Sequence, residues 1–266
     1  MMPYEEHDPP ASDPNYLVTV GRTPLQPAVR LPQGWFHTIK GPVFDQIKVG
    51  PRDHDLTVHG VAEPIGSRII VFGRVTDSDG KPVRNHLIEI WHANAAGGYI
   101  DSLDITGFPL DPNFIGAGRT LTDNDGNYRF ITIRPGAYPA IYVPGTDAWR
   151  AAHIHFSIFG PSFESRLVTQ MYFEGDPLLR QDKMILAIPD PRGQDRLIAK
   201  FCAETSISES FGPPRVRPTL DGSGTLIQPP KRQDPGALRH YNPSAQAFRF
   251  DIVLRGSRAT PFESKP

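Results

Sequence analysis

Cysteine is nearly missing from this chain of 266 residues: Cys202 stands alone, so no internal disulfide can form and no Cys-rich zinc spacing exists. That usage suits a reducing cytoplasm, the expected location, with Cys202 read as packing filler. An excess of either charge is missing too, since 28 Lys and Arg face 29 Asp and Glu for a net charge of -1. A basic face for nucleic acid or membrane is therefore not expected, and the partner should be a small molecule or another subunit. Long apolar runs are absent, which excludes a membrane-spanning helix. The opening MMPYEEHDPPASDPNY carries acids and prolines where a secretory leader needs a basic start and an apolar centre.

Proline, in contrast, is plentiful at 29 residues, about twice its average share. It argues against long helices and for strands joined by ordered loops. Residues 1–65 read as an extended N-terminal arm. Trp35, Phe36, Val43, Phe44 and Ile47 make it too apolar for a free tail, so it should dock on the core or on a neighbouring subunit.

From residue 66 to 266 the pattern predicts one domain. RIIVFGRV (68–75), HLIEIWHA (86–93), NYRFITIR (127–134), HIHFSIFG (153–160), RLVTQMYF (166–173) and FRFDIVLR (248–255) read as strands. Turn chemistry such as Thr122-Asp123-Asn124-Asp125-Gly126 separates them. The expected fold is all-β, a two-sheet antiparallel β-sandwich with long ordered loops and one short helix near 191–203, where Leu197, Ile198 and Phe201 form an apolar stripe. Residues 204–245, polar and rich in Gly and Pro, read as an insertion.

The residues that carry chemistry cluster between 99 and 170. On a strand, His153 and His155 share a face while Ile154 and Phe156 take the other, so two imidazoles can meet one metal. An isolated H-x-H is more often a polar pair on a wet strand. A lone tyrosine is more often a core or interface aromatic. Here, however, Tyr138 sits in a proline-bounded turn shortly before His153, and Tyr99 follows the strand HLIEIWH. Phenolate is a hard anionic donor that favours ferric ion over zinc or copper, and two phenolates offset most of its charge.

These segments resemble the intradiol ring-cleavage dioxygenases, nearest to their iron-carrying β-type chains that act on protocatechuate. The resemblance runs through TPLQPAVRLPQ, GPVF, EPIGSRIIVFGRV, EIWHANAAGGY, PLDPNFIGAGRTLTDNDGNYRF, IRPGAYP, WRAAHIHFSIFGPS, TQMYFEGDPL and FRFDIVLRG. It implies non-haem Fe(III) held by Tyr99, Tyr138, His153 and His155, an active-site Arg150 and a pocket glutamine at Gln170. The implied reaction opens a catecholic acid with O2, most directly protocatechuate to 3-carboxy-cis,cis-muconate in the β-ketoadipate route, with Tyr138 also serving as base. Another substituted catechol, sulfonated or bulkier, is the alternative substrate, and a non-catalytic binding subunit the less favoured role. The implied assembly is an oligomer, either of this chain or with a homologous α subunit.

Departures from the pattern are few. Thr106 stands where a second tyrosine often occurs, and about two extra residues before His153 make Tyr142 an alternative ligand. Ala140 replaces the aromatic that usually follows Tyr-Pro, with Arg180 and Met184 expected nearby. Arg134, Arg150 and Arg166 are candidates to meet a substrate carboxylate, though surface salt bridging is the commoner role for the first and last.

Overall fold

Alternation of apolar and polar side chains becomes alternation of buried and open faces in the computed structural model, which describes residues 49–100, 107–140, 148–159, 166–208, 219–220, 226–227, 245–254 and 258–261. The strands are β1 (Arg68–Thr76), β2 (Leu87–Trp91), β3 (Ala117–Leu121), β4 (Asn127–Ile133), β5 (Tyr138–Pro139), β6 (Trp149–Arg150), β7 (His153–Phe159), β8 (Arg166–Phe173), β9 (Ile198–Cys202), β10 (Thr219–Leu220), β11 (Leu226–Ile227), β12 (Gln246–Arg249) and β13 (Ile252–Val253). The arm residues up to 48, Thr106, Tyr142 and most of 204–245 lie outside the described residues. Among those described, no helix is long and apolar enough to cross a membrane.

The all-β expectation holds, but the two-sheet antiparallel sandwich does not. Nine strands share one sheet in the order β13-β1-β12-β9-β8-β7-β2-β3, with β4 added on β1. The sheet is mixed: β1 pairs in parallel with β12 and β13, and β8 with β9. Because β3 leads into β4 through a turn closed by Asp123 N–H to the Asn127 carbonyl at 2.9 Å, the path curls back on itself like a barrel. Crossover direction is set by distant pairing, which local periodicity does not encode.

The single helix over 191–203 is also corrected. Asp190 caps a short helix at Pro191–Arg196, and the chain then becomes β9, which pairs with both β8 and β12. Pairing on both edges outweighs the helical spacing of Leu197, Ile198 and Phe201. Further short helices occupy Lys183–Leu186 and Ala203–Ser208, with a 3-10 turn at Pro177–Arg180. The run FRFDIVLR is split into β12 and β13 by Phe250 and Asp251, while its register against β1 continues unchanged on either side of Gly73. A Cβ on Gly73 would lie 1.9 Å from the Phe250 carbonyl oxygen, and Asp251 Oδ1 takes the Arg74 N–H at 3.0 Å.

One face of β7 and its neighbours makes the core. Ile154, Phe156 and Ile158 stand opposite Met171, Thr169 and Leu167 on β8 and join Phe130, Tyr128, Ile90 and Phe250. Described residues from the expected arm feed this core too, with Leu56 fully buried. Burying each such side chain contributes about 1.5–3 kcal/mol before entropy is subtracted. The other face, carrying His153, His155 and Ser157 against Tyr172, Gln170 and Val168, is left for chemistry.

His92, just beyond β2, is buried with Nδ1 donating to the Ala93 carbonyl at 2.8 Å and Nε2 accepting from Thr132 Oγ1 at 2.8 Å. Burial, with a smaller push from His155, lowers its pKa from 6.5 to about 4. The folded chain thus favours the neutral ring, and its contribution is complete above pH 6.5 and is lost as pH falls toward 4. A loss of at most about 3 kcal/mol is expected across that window. Urea midpoints measured against pH should flatten there in His92→Gln, and an unchanged slope would contradict this assignment.

Candidate metal and catalytic site

Two loops and one strand edge bring the expected residues together. Asn94 organises the first loop: its side-chain oxygen accepts from Ala96 N–H at 2.9 Å and Gly98 N–H at 3.0 Å, and its amide donates to the Pro109 carbonyl at 2.8 Å. Its carbonyl also accepts from Gly136 N–H at 2.9 Å, which ties the loop bearing Tyr99 to the one bearing Tyr138. Gly97 is required in between, since its φ is +90° and a Cβ would sit 2.6 Å from the Ala137 carbonyl oxygen. In the short β5–β6 ladder Tyr138 is opposite Arg150, three residues before His153.

Tyr99, Tyr138, His153 and His155 then converge. Tyr138 Oη lies 3.1 Å from His153 Nε2, and Tyr99 Oη 3.2 Å from His155 Nε2. The tyrosine rings meet edge to face at 5.5 Å, and the histidine rings at 4.9 Å. His153 Nδ1 is 2.6 Å from the Ala151 carbonyl, so by its hydrogen bonds Nδ1 carries the proton and Nε2 presents its lone pair to the cluster. Burial first, then the Arg150 cation, holds the His153 pKa well below 6.5 and keeps the ring neutral. Trp91 stacks on His155 at 4.8 Å and 5°, fixing that ring's plane.

This donor set fits a hard trivalent ion. Among the described residues no group of three or more His, Cys, Asp and Glu can hold a metal; the side chains that converge here are two imidazoles and two phenols. Each phenol–imidazole separation is close to that of neighbouring donors on one ion.

Arg150 and Gln170 lie beside this cluster. The Arg150 guanidinium donates from Nε to Asp182 Oδ2 at 3.0 Å and from Nη2 to Gln170 Oε1 and to Tyr172 Oη, the last at 3.2 Å. Tyr172 Oη donates to Gln170 Oε1 at 2.7 Å, and burial raises its pKa well above 10, so the phenol stays protonated. Arg150, expected at the active site, lies beside the cluster and is ion-paired with the buried Asp182. Arg134 instead lies over the rings of Phe173 at 4.6 Å and Phe248 at 5.6 Å. Arg166 lies over Phe159, bonds Ser157 Oγ at 2.8 Å, and lines a cleft of about 480 Å³ that Trp91 also walls. Sequence reasoning missed Trp91, Tyr172 and Asp182. Strand alternation places Tyr172 on the face of Gln170 and so could have found it; no local signal marks Asp182.

A model of the family described as Dioxygenase, Dioxygenase_C, matches residues 39–256. The chain is also 45% identical over 252 residues to a protocatechuate 3,4-dioxygenase beta chain of Burkholderia cepacia, covering 94% of this chain and 91% of that one. The chain belongs to the intradiol ring-cleavage dioxygenases. As such a dioxygenase it is an enzyme. A second relative, catechol 1,2-dioxygenase 1 of Acinetobacter lwoffii, is 35% identical over 157 residues, or 54% of this chain and 48% of that one. The crystal structure of 3-chlorocatechol 1,2-dioxygenase from Rhodococcus opacus 1CP superposes with a TM-score of 0.49 at 22% identity, covering 81% of this chain and 70% of that one.

Proposed function

We propose that this intradiol dioxygenase holds ferric ion through Tyr99, Tyr138, His153 and His155 and cleaves protocatechuate between its two hydroxyl-bearing carbons. The observation that carries the reading is the pairing of each imidazole Nε2 with a phenol oxygen at 3.1 and 3.2 Å, with His153 already in the tautomer a ligand needs. Identity of 45% to the protocatechuate-cleaving beta chain supports the choice of acid. That relative's designation as a beta chain also favours assembly with a second, homologous chain.

When bound, the ion would act as a Lewis acid toward the catechol oxygens and so prepare the ring for O2. The chain's own residues supply the rest. Tyr138 Oη, buried next to His153, would be ionised when it holds the ion and could then take a catechol proton. Arg150 places a fixed cation where negative charge develops during ring opening. Gln170, whose Oε1 is held by Arg150 and Tyr172, would help orient the substrate or O2 beside the cluster. Both oxygen atoms of O2 end in the two new carboxylates. A bulkier or sulfonated catechol remains the second reading, favoured by the small buried side chain of Ala140 two residues beyond Tyr138.

The test is a visible spectrum of the iron-loaded chain under nitrogen, with and without protocatechuate. A broad tyrosinate-to-iron band that moves on adding substrate is expected. A colourless sample with full iron content would rule the ligand set out.

A further inference from the structure

Asp182 is absent from the ligand set, yet it is fully buried and two of its three side-chain hydrogen bonds lead to the site, the third capping a short helix. Oδ2 accepts from Arg150 Nε at 3.0 Å and from the Ala151 N–H at 2.9 Å, while Oδ1 accepts from the Met184 N–H at 2.8 Å. Beyond these first partners the connections continue. Arg150 reaches Gln170 and Tyr172, and the Ala151 carbonyl accepts the proton of His153 Nδ1 at 2.6 Å. A carboxylate is costly to bury unless paired and bonded, and here both oxygens accept hydrogen bonds, Oδ2 from Arg150 and Ala151 and Oδ1 from Met184.

We propose that Asp182 is a positioning residue that sets the two working groups from behind: it aims the Arg150 guanidinium, and by fixing Ala151 it sets the carbonyl that orients the His153 ring. The proposal rests on reading Arg150 and His153 as site residues, as above. It also gives the short helix at Lys183–Leu186 a role, since its first turn, capped by Asp182, locks the carboxylate in place. Groups that hydrogen-bond to a ligand from behind fix its tautomer and direction, and their loss commonly costs about 10–100-fold in metal affinity or activity.

The test is Asp182→Asn. A carboxamide presents N–H on one side, yet both sides of Asp182 face donors, so one of them must lose its partner. In the iron-free chain, nitrogen NMR of labelled histidine should show the Nδ1-protonated tautomer of His153 in the parent and a mixture in the variant. After iron loading, a chelator should strip the variant about 10–100-fold faster, and kcat for protocatechuate should fall by a similar factor with a smaller change in KM. An unaltered tautomer and stripping rate, with only a lower melting temperature, would reduce Asp182 to a structural salt bridge and overturn the proposal. If Asp182→Asn does not fold, Asp182→Glu retains the charge but displaces it by one methylene. It should change the tautomer and the stripping rate in the same direction, and parental values would again overturn the proposal. A parent chain that takes up no ferric ion would defeat the ferric reading alone, because the iron-free tautomer comparison still decides the role of Asp182.

Discussion

Replacing Tyr99 by phenylalanine is expected to leave the chain folded while weakening iron retention by at least about 100-fold and bleaching much of the visible band. The substitution removes one oxygen and keeps the ring, so the edge-to-face contact with Tyr138 at 5.5 Å survives. What goes is one of two anions proposed to balance a trivalent ion. Loss of a group that merely supports a ligand already costs about 10–100-fold, and loss of a direct ligand should equal or exceed the upper end. A purely structural hydroxyl would behave otherwise. Its bond to His155 Nε2 at 3.2 Å would contribute a net ~0.5–1.5 kcal/mol, lowering the melting temperature slightly and leaving iron untouched. Equilibration against a chelator series, with iron counted per chain, separates the two. Tyr138→Phe run in parallel should lose turnover more completely than Tyr99→Phe, because Tyr138 is proposed as both ligand and base.

The site was more legible in the sequence than the topology. Strand alternation alone places His153 and His155 together and sends Ile154 and Phe156 into the core, and the ladder of β7 with β8 adds Gln170 to the histidine face. Five of the six β-rich runs likewise surface as strands with nearly the expected limits, while FRFDIVLR divides between β12 and β13. What failed depends on partners far along the chain. Ile198–Cys202 has helical spacing but becomes β9, because β8 and β12 each offer it an edge. The parallel pairing of β1 with β12 joins segments about 180 residues apart, which no local pattern foretells. Asp182 illustrates the same limit at the site. In sequence it is an ordinary helix cap; only the fold turns its second oxygen toward Arg150 and Ala151.

Phe156→Ala should be the most destabilising single change on the strand that carries the histidines. Its ring is fully buried and meets Phe250 at 5.2 Å, Tyr128 at 5.9 Å and Phe130 at 6.3 Å, so truncation empties the centre of an aromatic cluster. Burial and cavity terms together place the cost at about 3–5 kcal/mol, a large share of the ~5–15 kcal/mol that holds a typical domain. In a chain of this size that corresponds to roughly 6–20 °C in melting temperature. The loss should be equal in the iron-free and iron-loaded protein. His155 keeps its ladder partners Trp91 and Gln170, so the ligand face is held by neighbouring strands even when the core face is hollowed. A cost below about 1 kcal/mol would contradict the placement of Phe156 at the core centre. A larger loss in the iron-loaded form would mean that the two faces of β7 are coupled, and that the aromatic core helps hold the geometry of the metal site.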